Sequence, residues 1–81
     1  MQELELYGTS DCHLCEVAEA MLATLLVQED TWRIELIDIA DNDASLERYA
    51  LKIPLLRRVV DGRELAWPFD AASVRQFLAE E

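Results

Sequence analysis

The feature that most constrains this chain is a change in hydrophobic period that happens twice within its first forty residues. From Glu3 to Tyr7 charged and apolar residues alternate, which puts Leu4 and Leu6 on one face of an extended segment. Gly8, Thr9, Ser10 and Asp11 break that pattern with turn and helix-capping residue types. Leu14, Val17, Ala18, Met21, Leu22 and Leu25 then recur at helical spacing, predicting a helix from about Cys12 to Val27. After a polar stretch, Gln28 to Thr31, the residues Trp32 to Ile39 return to a strand pattern. A strand, a helix and a strand in so short a span favour a parallel strand pair with a right-handed crossover.

The rest of the chain completes one sheet. Asp41, Asn42 and Asp43 offer caps for a short helix with apolar positions Leu46, Tyr49 and Ala50. That helix must stop before Pro54, because the proline ring biases Ile53 into an extended conformation. Leu55 to Val60 and Glu64 to Trp67 flank Asp61-Gly62, a dipeptide suited to the positive φ values of a tight hairpin. Asp70 caps a last helix from Ala71 to about Glu80, with Phe69 and Val74 placed as a hydrophobic staple. The order βαβαββα predicts an α/β fold with a mixed four-stranded sheet. At 81 residues there is room for one domain, residues 1–81, and not for two.

Charge narrows the partners. Seventeen acidic residues against seven basic ones leave a net charge of −10, a sign that opposes phosphate backbones and anionic lipid. No nucleic acid and no membrane surface is expected as a partner, and no stretch approaches the roughly 18 apolar residues of a membrane span. The first residues lack the pattern of a secretory signal, so a cytoplasmic location is expected. In that compartment two cysteines point to catalysis or metal binding rather than to a structural disulfide.

Cys12-His13-Leu14-Cys15 stands where the first strand gives way to the first helix. The i, i+3 spacing brings both thiols to one helical face within reach of a disulfide. The positive end of the helix dipole would stabilise a thiolate on Cys12 and make it a nucleophile, while Cys15, a turn deeper, would resolve a mixed disulfide. Other readings stand beside this one. A permanent disulfide over so short a loop would contribute only about 2 kcal/mol, and two reduced, inert cysteines are a further alternative. A zinc site needs about four ligands, and one Cys-x-x-Cys pair containing the sole histidine supplies too few, so no metal is expected. His13, if protonated, favours the Cys12 thiolate, and Asp11 with the acidic first third opposes it.

The Cys-x-x-Cys after strand one, Ile53-Pro54 opening strand three, the Asp61-Gly62 hairpin and the closing helix together resemble the thioredoxin fold. The small size makes the chain most similar to glutaredoxins, in particular to short glutaredoxin-like proteins with degenerate glutathione sites. This resemblance spans the whole chain and implies a thioredoxin-like sheet with helices on both faces. It also implies that Cys12 attacks substrate disulfides, that Cys15 resolves, and that Pro54 is a cis-proline packed against the pair. The main chain of Ile53 would then pair with the substrate, a short piece of β-augmentation.

The departures from that family bear on glutathione. His13-Leu14 stands where Pro-Tyr is common, and Ser10 and Asp11 stand where a basic residue is common. Trp67-Pro68-Phe69 replaces a Gly-Gly turn that lets a glutathione backbone approach closely. Asp70 matches the acidic residue that would accept the glutathione amino group, and it serves equally as a helix cap. Arg48 and Lys52 are near enough in sequence to Pro54 to meet an anionic ligand or to form a solvated helix face, and Trp67 is either part of an apolar docking surface or core. The expectation is a monomeric thiol-disulfide oxidoreductase acting on protein or low-molecular-weight disulfides. It needs no bound cofactor, with glutathione as a weakly bound co-substrate at most. The rivals are an iron–sulfur or glutathione-binding module and a non-catalytic interaction domain.

Overall fold

The alternation, caps and turns read from the sequence produce β1 (Gln2–Gly8), α1 (His13–Leu26), β2 (Trp32–Asp38), a 3-10 turn (Ile39–Asp41), α2 (Asp43–Tyr49), β3 (Leu55–Arg58), β4 (Glu64–Ala66) and α3 (Ala71–Ala79). This computed structural model describes residues 2–27 and 31–80. The polar connection at 28–31 therefore lies, Thr31 apart, outside the described residues.

The strands lie in the order β2-β1-β3-β4. β1 pairs with β2 in parallel through the crossover of α1, and with β3 antiparallel, so the sheet is mixed as expected. Alternation along β1 divides the core. Leu4, Leu6 and Leu56 face one side and pack with Ala18 and Leu22 of α1 and with Val74 and Phe77 of α3. Tyr7 and Leu55 face the other side and pack with Ile39 and with Tyr49 of α2. Helices thus cover both faces of a single sheet. Among the described residues no helix is long and apolar enough to cross a membrane.

Each helix starts with a side-chain oxygen or sulfur accepting from the backbone of its first turn. Asn42 caps α2 through the N–H groups of Ala44 and Ser45, and Asp70 caps α3 through that of Ser73. For α1 the expectation of a cap within Gly8 to Asp11 is corrected, because the cap is Cys12 itself. Phe69 and Val74, the residues on either side of the Asp70 cap, are both buried in the main core, as a staple requires.

Three local readings also change. Only Tyr49 of the predicted apolar stripe on α2 is buried, while Leu46 and Ala50 are exposed. A helix this short offers the sheet about one position per turn. The hairpin is not a two-residue turn, because Arg58 and Arg63 close it and Val59–Gly62 form the loop. Within that loop Gly62 alone takes a positive φ, +74°, and Asp61 does not. Val59 and Val60 consequently leave the strand and stand exposed.

Arg58, the last residue of β3, shares the face of Leu4 and Leu56 and is buried at 6% exposure. Its guanidinium donates to the carbonyls of Phe77 (2.8 Å) and Glu80 (2.6 Å) and pairs with Asp61 (3.1 Å). It also lies over the rings of Trp32 and Phe77, 5.9 and 5.8 Å from their centroids. A cation at the C-terminal end of a helix satisfies carbonyls left without partners and complements the dipole. The far end of α3 is thereby tied to the sheet.

Candidate active site

At the other pole of the sheet β1 ends at Gly8, and the chain turns through Thr9–Asp11, where the Cys12 N–H donates to the Thr9 carbonyl at 3.2 Å. Cys12 is extended (φ −100°, ψ 106°), and its sulfur accepts the backbone N–H of Cys15 at 3.1 Å. Cys12 and Cys15 are bonded as a disulfide, with Cα atoms 5.2 Å apart. Cys12 is half-buried, whereas Cys15 is 8% exposed. Cys12 is therefore the more accessible residue of the pair, and its sulfur sits where the helix dipole and the Cys15 N–H favour negative charge.

Gly8 backs the inner sulfur. A Cβ at this position would stand 3.0 Å from the Cys15 Sγ and 3.1 Å from its Cβ, so only a hydrogen fits between strand and helix. The sequence marked Gly8 as a turn residue and missed this role. A glycine ending a strand, with a Cys-x-x-Cys opening the next helix, is the signal that was there to be read.

The register of β1 against β3 ends with Tyr7 opposite Leu55, so Gly8 leaves β1 at the end of the sheet where Pro54 leads into β3. The Ile53-Pro54 bond is cis, as the family resemblance implied, and Trp67-Pro68 is a second cis bond that the sequence reading did not anticipate. Pro54 is buried and Ile53 half-buried. The Pro54 carbonyl accepts the Trp67 N–H at 3.0 Å, which draws the segment before α3 to the same corner. Cys15 thus packs on Gly8 at the C-terminal end of β1, and the start of β3, with Pro54 and the hydrogen-bonded Trp67, lies at the same end of the sheet.

The remaining predicted residues take other positions. The exposed ring of His13 lies with Nδ1 3.7 Å from Glu16 Oε2, one turn along the helix. Trp67 is half-buried, meets Phe69 edge to face at 5.0 Å and packs against the main core. Asp70 is exposed and receives the Ser73 N–H at 2.8 Å. That hydrogen bond, followed by the Ser73 hydroxyl, holds its carboxyl below the usual range. Arg48 covers the ring of Tyr49 at 5.5 Å and Lys52 is exposed.

In the core on the α2 face, Tyr7 and Tyr49 form a tilted ring pair with centroids 4.4 Å apart. Burial first, and then donation to Glu5 at 2.8 Å, push the Tyr7 pKa up to about 12, so its phenol stays protonated at neutral pH. A shallow cleft of about 220 Å³ reaches Cys15 from the β2 side between Thr9, Ser10, Glu19 and Asp38. Among the described residues no group of three or more His, Cys, Asp or Glu side chains is placed to hold a metal ion.

Residues 3–79 match the family described as Glutaredoxin-like domain (DUF836), nearly the whole chain. The chain belongs to this glutaredoxin-like family. Its fold is similar to that of target protein XcR50 from X. campestris, with 39% identity over 93% of each chain and a TM-score of 0.73. Protein Ne2328 from Nitrosomonas europaea is similar at 28% identity, over 94% of this chain and 89% of that one, with a TM-score of 0.77. Thioredoxin 1 from Thermosipho africanus shares 17% identity over 94% and 93% of the two chains with a TM-score of 0.68, which shows the common fold. No curated protein shows significant similarity. This glutaredoxin-like domain therefore combines the thioredoxin fold with a Cys12-Cys15 pair at disulfide distance.

Proposed function

We propose that the domain is a thiol-disulfide oxidoreductase with Cys12 as nucleophile and Cys15 as resolving thiol. One observation carries this reading: the sulfur of the half-buried residue Cys12 caps α1 and accepts the N–H of the more buried Cys15. In the reduced protein the Cys12 thiolate attacks one sulfur of a substrate disulfide, forming a mixed disulfide and expelling the other sulfur as a thiolate. The Cys15 thiolate then attacks the Cys12 sulfur, releasing the second substrate thiolate and closing the Cys12-Cys15 disulfide. Two electrons pass to the substrate, and a dithiol reductant returns the pair to the start. The main chain at Ile53, before the cis-proline, is the proposed pairing edge for a peptide substrate.

The exchange needs no bound cofactor. Glutathione is proposed as a weak co-substrate, because Trp67-Pro68-Phe69 fills the turn where a Gly-Gly pair would let its backbone approach. The test is a titration with oxidised and reduced dithiothreitol, read by mass, followed by brief iodoacetamide labelling of the reduced form. The expected result is a reversible two-electron transition with Cys12 labelled faster than Cys15. A pair that stays reduced in mild oxidant, or oxidised in excess reductant, overturns the proposal, and faster labelling at Cys15 reverses the two roles.

A further inference from the structure

We infer that β2 is a self-complementary edge through which two copies of this chain pair antiparallel about Ile34, in place of the monomer expected from the sequence. β2 ends the sheet and, among the described residues, pairs with β1 alone. The Thr31 carbonyl accepts the Gln2 N–H, so the main-chain groups of Thr31, and by alternation those of Arg33, Glu35 and Ile37, point toward β1. Those of Trp32, Ile34 and Leu36 point outward. β2 pairs in register from Trp32 to Asp38 without a bulge, and it contains no Pro, Gly or Lys. The devices that usually blunt an exposed edge are mostly missing from it.

The outward groups restrict the register. Antiparallel copies must set even-numbered residues against even-numbered ones, because odd positions have their hydrogen bonds turned inward. Centring the two-fold axis on Ile34 places Trp32 opposite Leu36 of the second copy, and Leu36 opposite its Trp32. The same register places Arg33 opposite Glu35 of the second copy, twice over by symmetry. A centre at Leu36 would instead put Glu35 against Ile37 and Ile34 against Asp38, which gives no charge match. Sequence chemistry is thus palindromic about one residue, and that residue has the required main-chain orientation.

The side chains are available for this pairing. Leu36 is 53% exposed on the α1 face, while Trp32, on the same face near the other end of the strand, is only half-buried. Arg33 and Glu35 are exposed on the opposite face, and among the described residues neither forms an ion pair within the chain. Glu35 sits across from Glu5, whose carboxylate is taken by Arg57 at 3.0 Å, and so has a like charge as its neighbour. An arginine from a second copy supplies the missing opposite charge. The net charge of −10 per chain opposes association. At ionic strength on the order of 0.15 M it is screened beyond about 8 Å, whereas cross-strand partners stand roughly 5 Å apart.

Sedimentation equilibrium of the full chain in reductant, up to chain concentrations on the order of 1 mM, the weak end of specific association, tests the inference. The wild type is expected to form a dimer and nothing larger. Glu35→Arg sets Arg33 against an arginine in both copies and should raise the dissociation constant about tenfold or more. Within one chain the same change places an arginine beside Glu5, so its thermal unfolding midpoint should hold or rise, which separates assembly from folding. Arg33→Glu should also weaken the dimer, and the double exchange R33E/E35R should restore it. A wild type that stays monomeric overturns the proposal and leaves the edge to a strand of another protein. A dimer of equal strength in all four proteins, or a higher assembly, overturns it as well.

Discussion

The starts of α1 and α3 use one backbone device with different atoms. In each, an extended cap residue accepts the N–H of the residue three positions on: Cys12 from Cys15 at 3.1 Å, and Asp70 from Ser73 at 2.8 Å. Asp70 is a strong cap, with a carboxyl held below its usual range and a buried staple on either side. Cys12 is a poorer acceptor, and the residue as a whole is only half-buried. One helix start is optimised for holding the chain, while the other gives up capping strength and carries at the same kind of position the sulfur proposed above as nucleophile. The difference teaches that the geometry that ends a strand and begins a helix supplies a backbone N–H and a helix dipole to whichever atom caps it, and here that atom is a sulfur.

Exchanging the chemistry of the α1 cap should produce the largest effect. Cys12→Ser keeps an N-cap oxygen and removes the proposed nucleophile, so disulfide exchange should fall by at least about a hundredfold. Against the reduced wild type, thermal stability should hold or improve by about 0.5–1 kcal/mol, since serine is a better cap than cysteine. Stopped-flow exchange and thermal unfolding read the two quantities separately. Exchange that survives the change would assign the nucleophile elsewhere.

A smaller effect is expected at the donor of the same cap. Gly8→Ala forces a methyl against the Cys15 Sγ at 3.0 Å and its Cβ at 3.1 Å, displacing the residue whose N–H meets Cys12. Destabilisation of about 1–3 kcal/mol is expected from such overpacking, read by urea unfolding. An unchanged midpoint would mean that strand and helix separate freely and that Gly8 has no part in holding the pair.

The smallest effect belongs to α3. Asp70→Asn keeps the cap and removes its titration. The folded carboxyl has a depressed pKa, so its contribution is present above the unfolded pKa and lost as pH falls through the folded value. Stability of the wild type should therefore drop more steeply in acid than that of the Asn variant, with the two curves nearly parallel at neutral pH. Identical acid limbs would show that the Asp70 charge contributes nothing beyond what an amide supplies.

What the sequence by itself determined is local. Alternation in β1, helical spacing in α1, the stop before Pro54, the capping aspartate at 70 and the Cys12-Cys15 spacing each depend on neighbours within a few residues, and each appears in the structure. The family followed from the order of those signals. What only the tertiary structure decided rests on contacts between residues distant in sequence or on the direction in which a side chain turns. Arg58 reads as a strand charge until Trp32, Phe77 and Glu80 close around it. Gly8 reads as a turn until Cys15 is packed on it, and Leu46 reads as core until the sheet reaches only Tyr49. The sulfur of Cys12 is a cap only because its residue is extended while the next is helical. Local periodicity shows which face a residue occupies, and packing then selects what meets that face.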